Sequence, residues 1–197
     1  MEDKKILRDL YISSISESAM PIFREKISMM EKEIESLVRR GMIKEDKTLT
    51  EKGRKSIKVV LTGGVFDIIH PGHINTLRAA KILGDVLIVV VANDKIVKKM
   101  KDKMPLHTME QRRALVSSLT MVDCAIIGDE KDIFKTVEYV KPDIIALGYD
   151  QIHQEKFIID GCKKIGVDTK VIRLKSPIPN MKSSQITSAY GKLIYMI

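Results

Sequence analysis

Two histidines three residues apart, in the run His70-Pro71-Gly72-His73, are the side chains of this chain best suited to chemistry on phosphate. Each imidazole offers N–H donors to phosphate oxygens and gains a positive charge when protonated. They close the longer run Thr62-Gly63-Gly64-Val65-Phe66-Asp67-Ile68-Ile69-His70-Pro71-Gly72-His73. An apolar stretch from Ile57 to Leu61 precedes it and reads as a buried strand, and helical spacing follows from Ile74 to Leu83. That order places both imidazoles and several backbone N–H groups at a helix N-terminus. Unpaired amides and the helix macrodipole favour an anion there. Gly63 and Gly64 let the backbone approach a ligand closely, and Gly72 keeps a side chain out of the space between the imidazoles. The expected chemistry is nucleotidyl transfer.

Neither common phosphate-loop pattern is present. No Gly-x-x-x-x-Gly-Lys-Ser/Thr run occurs, and Gly-x-Gly-x-x-Gly is absent as well. In their place, His-x-Gly-His puts two donors on one helix face. Two histidines also suit a metal, but no third ligand follows at a telling spacing, so no direct metal ligand is assigned.

The run Gly64-Val65-Phe66-Asp67-Ile68-Ile69-His70-Pro71-Gly72-His73 resembles the signature of the cytidylyltransferase-like nucleotidyltransferases, a branch of the HIGH-type α/β phosphotransferases. The resemblance continues, in family order, through Ala79-Lys81, Leu83-Gly84-Asp85, Val91-Ala92-Asn93-Asp94, Glu110-Gln111-Arg112, Val122-Asp123, Lys141-Pro142-Asp143, Gly148-Tyr149-Asp150-Gln151 and Ser183-Ser184. Similar groups are the glycerol-3-phosphate cytidylyltransferases, the nucleotidylyl domains of heptose-phosphate enzymes and the archaeal FAD synthetases.

That resemblance implies roles. His70 and His73 hydrogen-bond the triphosphate and act catalytically, joined by Lys101 and Lys103 from the basic segment before Glu110-Gln111-Arg112. Nucleotide contacts fall to Gly63, Gly64, Val65, Phe66, Gly72, Asn93, Arg112, Gly148, Asp150, Gln151, Ser183 and Ser184. Arg112 can equally be a structural residue paired with Glu110, and the serines can be plain helix caps. Asp67 either caps the turn or positions the acceptor or Mg²⁺. Where relatives show Ser-Thr-Thr-Lys, this chain has Lys182-Ser183-Ser184-Gln185. CTP is the expected donor, used with Mg²⁺, and a small phosphorylated alcohol such as glycerol phosphate is the expected acceptor. The alternatives are ATP with FMN, giving FAD, and, in another class, a nucleotide-sensing DNA-binding regulator.

Positioning these residues needs a sheet. From residue 57 to 197, apolar runs (Ile57–Leu61, Val86–Val91, Asp123–Ile127, Asp143–Leu147, Thr169–Leu174) alternate with helical patterns (Ile74–Leu83, Asp94–Lys99, Met109–Leu119, Ile133–Val140, Glu155–Ile165, Ser184–Ile194). The unbroken Val/Ile/Leu content suits parallel strands covered on both faces. The expected fold class is α/β, a Rossmann-like doubly wound parallel sheet with ligands at the carboxyl ends of its strands.

Residues 1–56 read as a separate small domain. Ile6, Leu7, Leu10 and Tyr11, then Ile27, Met30, Ile34, Leu37 and Val38, recur at helical spacing, and Gly41 stops the second run. Leu37 to Ile43 and Leu49 to Arg54 resemble parts of a winged helix, with two short strands joined at Asp46-Lys47. Its charge is nearly balanced, with 13 basic and 11 acidic residues, so the net +8 of the chain sits mainly beyond it. Glu31, Glu33 and Glu35 argue against a DNA-reading helix. A homodimer is expected in its place. No apolar stretch reaches the length of a membrane span, and the start is not a signal peptide. Cys124 and Cys162 read as reduced thiols of a cytoplasmic protein.

Overall fold

Short runs of Val, Ile, Leu and Ala become the strands of one parallel sheet. A computed structural model describes residues 2–16, 30–102, 104–149, 151, 154–175 and 186, with Lys101 by its backbone alone. In chain order its elements are α1 (Glu2–Ile15), α2 (Glu31–Arg39), α3 (Glu51–Lys55), β1 (Val59–Gly64), α4 (Pro71–Ile82), β2 (Val86–Val91), α5 (Asp94–Lys101), α6 (Met109–Ser117), β3 (Cys124–Ile127), α7 (Ile133–Val140), β4 (Ile144–Leu147), α8 (Glu155–Lys164) and β5 (Lys170–Arg173). The strand order is β3-β2-β1-β4-β5, every pair parallel. The expected helix Ser184–Ile194 lies outside the described residues.

Side chains alternate between the two faces of the sheet. Val60, Leu87, Val89, Ile144 and Ala146 meet Leu77 and Ala80 of α4 and Val116 of α6. Val59, Leu61, Val86, Ile88, Ile145 and Leu147 meet Val137 and Val140 of α7 and Ile158 and Cys162 of α8. The helices therefore change sides between β1 and β4. This is the doubly wound arrangement, and the change of side opens a crevice at the carboxyl ends of those two strands.

Two boundaries differ from the sequence reading. Gly63 and Gly64 were expected as a turn after the strand, yet they are its last residues, in register with Val90 and Val91. Gly64 is held there because a Cβ would meet the Phe66 ring at 3.0 Å. Helix α4 starts at Pro71 rather than Ile74. Proline suits a first helical turn, where its missing N–H has no partner to lose.

The chain before Ser56 does not stand apart. Ile6, Leu7, Leu10, Tyr11, Ile34, Leu37, Met42 and Ile43 belong to the same buried cluster as Val59, Val86 and Val137. The Tyr11 hydroxyl donates to the Val140 carbonyl at 2.6 Å, and burial pushes its phenol far up. Three aspartates at the amino ends of strands receive cations from this region. Lys4 reaches Asp85 at 2.8 Å, Arg8 reaches Asp123 at 2.7 Å, and Arg54 reaches Asp143 at 3.0 Å. Residues on both sides of Ser56 thus share one buried cluster. Ile34 and Leu37 are buried by the chain itself, which removes the reason for a second copy to cover them. Ile27 lies outside the described residues. In place of two short strands, one antiparallel bridge joins Ile43 to Leu49.

Candidate active site

The site forms where β1 runs into α4. His70 is the N-cap residue of α4, with extended backbone, and its side chain makes no capping hydrogen bond. By contrast, α5, α6 and α7 are capped by Asn93, Thr108 and Asp132. Pro71 has no N–H and the His73 N–H donates to the His70 carbonyl at 2.9 Å, so in this first turn Gly72 supplies the amide that no side-chain oxygen covers, the condition an anion needs. Gly72 is buried in that turn.

His70 and His73 stack, their ring centroids 3.9 Å apart and their planes 29° from parallel. Phe66 backs the pair, its centroid 5.1 Å from that of His73. Phe66 has a left-handed φ of +53° although it is not glycine, and its ring is buried. Such a strained residue persists only where its surroundings hold it. Here that conformation packs the ring between Gly64 and His73. His70 is 8% exposed, and its Nδ1 is buried without a hydrogen-bond partner. Burial pushes its imidazole below the ordinary histidine range, favouring the neutral form.

Asp67 reaches across to the segment before α6. Its carboxylate accepts from the backbone N–H groups of Leu106 and His107, each at 3.0 Å. Its carbonyl oxygen lies 2.9 Å from His107 Nδ1, which must donate in that contact. Asp67 thus fastens the segment leading into α6 onto the loop that carries the histidines.

Arg112 requires a correction. It was expected at the nucleotide, or else paired with Glu110. It is fully buried and its guanidinium faces protein on every arm. It donates to the carbonyls of Val65 (2.5 Å), Ala92 (2.8 Å) and His107 (3.1 Å) and pairs with Asp94 at 2.5 Å. It is a positioning residue, gathering the loops after β1 and β2. Sequence reading missed Asp94 and His107. Their partners lie far away in the chain, and no local pattern marks the pairing.

Asn93 caps α5, its side-chain oxygen accepting from Lys95 N–H. Gln151 closes the turn after β4 by accepting from Gly148 N–H at 2.7 Å. Gly63, Gly64, Val65, Phe66, His70, Gly72, His73, Asn93 and Gly148 thus share the carboxyl end of the sheet, on β1 and its two neighbours. Lys103, Asp150, Ser183 and Ser184 lie outside the described residues, as does the side chain of Lys101.

Residues 61–189 match the family model described as cytidylyltransferase-like. The chain belongs to the cytidylyltransferase-like family. As a member it is a nucleotidyltransferase with a Rossmann-like parallel sheet, and the match begins only after the N-terminal helices. The FAD synthase of Aciduliprofundum boonei is 53% identical over 116 residues, 59% of this chain and 77% of that protein. The FAD synthase of Ferroglobus placidus is 50% identical over 121 residues, 61% of this chain and 78% of that protein. A solved Thermoplasma volcanium protein, described as a lipopolysaccharide core biosynthesis protein, is 45% identical with a TM-score of 0.58. The match covers 61% of this chain and 98% of that one.

These relatives overturn the expectation of CTP and glycerol phosphate. The family signature specifies how phosphate is held. It does not specify base or acceptor, and relatives 50–53% identical over 59–61% of this chain are named for FAD synthesis.

Proposed function

We propose that this protein is an adenylyltransferase that joins ATP to FMN, giving FAD and pyrophosphate. A phosphate oxygen of FMN attacks the α-phosphorus of ATP, a new P–O bond forms, and the bond to the β-phosphate oxygen breaks. The attacking phosphate is already anionic near neutral pH, so a general base has little to do. The burden is to bring two anions together and to stabilise charge on the equatorial and leaving oxygens.

The observation that carries the transfer chemistry is the stacked His70–His73 pair at a helix start with no side-chain cap. Its imidazole N–H groups and the Gly72 amide are donors fixed in advance, each worth on the order of 3 kcal/mol at a transition state. The choice of ATP and FMN is supported by the name FAD synthase among relatives at 50% identity and above. Mg²⁺ enters with the triphosphate as the MgATP substrate. Among the described residues no three carboxylates, histidines or cysteines come together to hold a resident ion.

The test is to incubate the protein with Mg²⁺ and each of ATP or CTP, with FMN or glycerol phosphate. Pyrophosphate is measured and flavins are separated by chromatography. Stoichiometric FAD and pyrophosphate from ATP and FMN is the expected result. Pyrophosphate release from any other pair, with no FAD from ATP and FMN, would reject the reading.

A further inference from the structure

Three apolar side chains stand in water on a segment otherwise dominated by Lys98, Lys99, Lys101 and Lys103. Met100, Met104 and Leu106 are 69%, 51% and 37% exposed. Single exposed apolar residues are ordinary. These are set apart by where their backbone is tied. Both N–H groups at Leu106 and His107 end on the Asp67 carboxylate, three residues ahead of His70. Leu106, with Met104 two residues before it, is therefore held against the phosphate-binding loop. Val65 and Ile69 of that loop are themselves half-buried and add apolar surface.

We propose that Met104 and Leu106 form a ledge that receives the flat ring system of the flavin acceptor. The proposal rests on reading the acceptor as FMN and adds where its ring lies. The two substrates must meet phosphate to phosphate at α4, so their rings need different ends of the crevice. One end is the loop after β4, where Gly148 lies, and the other is the segment around Leu106. Reading an adenine edge takes free backbone donors and acceptors, and the N–H groups of Leu106 and His107 are already engaged by Asp67. What this segment offers is apolar area and a flexible thioether, which favour stacking on a large aromatic face. The exposed Lys98 and Lys99 of α5 add positive charge that complements a phosphate on the same molecule. A small polyol phosphate would leave both side chains in water.

The test uses the full chain carrying Met104→Ser with Leu106→Ser, and a control carrying Met104→Leu with Leu106→Met. Both positions are on the surface, and neither change removes the backbone bonds to Asp67. Flavin binding is followed by fluorescence titration of FMN, and KM is measured for FMN and for ATP. The serine pair should weaken FMN binding and raise KM for FMN about tenfold, a ratio equivalent to roughly 1.4 kcal/mol. KM for ATP should not rise in parallel, and the control should keep its flavin affinity. Unchanged FMN binding, or a rise in KM for ATP without one for FMN, overturns the ledge. If the unsubstituted protein binds FMN but makes no FAD, the proposed function falls and the titration alone decides the ledge. If it binds no flavin, both fall together.

Discussion

The Arg112 guanidinium lies 2.5 Å from the Asp94 carboxylate, with the arginine wholly buried and the aspartate partly so. One side chain thereby joins the start of α6 to the end of β2, and its other arms reach Val65 and His107. The loop bearing the histidines is thus fixed through the carbonyl of Val65.

Arg112→Met should destabilise the protein by roughly 3 kcal/mol. It strands the Asp94 carboxylate and leaves the carbonyls of Val65 and Ala92 without donors. Urea unfolding measures this. A loss below about 1 kcal/mol would mean that water replaces the guanidinium with little penalty.

Replacing His70 or His73 by Ala should lower turnover about a hundredfold or more, with a smaller change in nucleotide affinity. The imidazole donors matter most once charge has built up on the transferring phosphate. Near-normal turnover in either variant would remove that histidine from the catalytic assignment.

Acid should destabilise the ligand-free protein partly through His70. Its imidazole is held below the ordinary value of about 6.5 by burial, so the unfolded chain takes up this proton first. Between the two values the unfolded state binds more protons, and stability rises with pH. The contribution is present above about pH 6.5 and is lost as pH falls through the lowered folded value. His70→Asn should therefore lose less stability than the unsubstituted protein between about pH 7.5 and 5.5. Parallel curves would show that His70 carries none of this dependence.

Tyr11→Phe should cost about 1–3 kcal/mol, since the buried Val140 carbonyl loses its donor. Deleting the residues before Lys55 uncovers one face of the sheet and should do far more, giving a chain that does not unfold cooperatively. Calorimetry distinguishes the outcomes. A sharp transition in the shortened chain would restore the idea of two separate units.

Chelation of Mg²⁺ should abolish turnover, and added Mg²⁺ should restore it, because an unneutralised triphosphate repels the acceptor phosphate. Full activity after exhaustive chelation would contradict this.

The parallel sheet was legible in sequence because its strands are local apolar runs. Val86 to Val91 read as a buried strand, and the two histidines as lying at a helix start, although Pro71 rather than Ile74 opens that helix. Tertiary structure decided the rest. Asp67 read as either a turn cap or a positioner of acceptor or Mg²⁺, and Arg112 as either a nucleotide contact or a partner of Glu110, and neither reading named the partners they find across the fold, Leu106 and Asp94. Sequence spacing carries no trace of such pairs, since burial and the convergence of loops after β1 and β2 create them. The N-terminal helices show the same limit. Their apolar stripes announced that Leu7, Leu37 and Tyr11 would be buried, but not against what. The apolar surface of the sheet beside α7 settles that, because apolar area leaves water on any complementary surface, and this one belongs to the same chain.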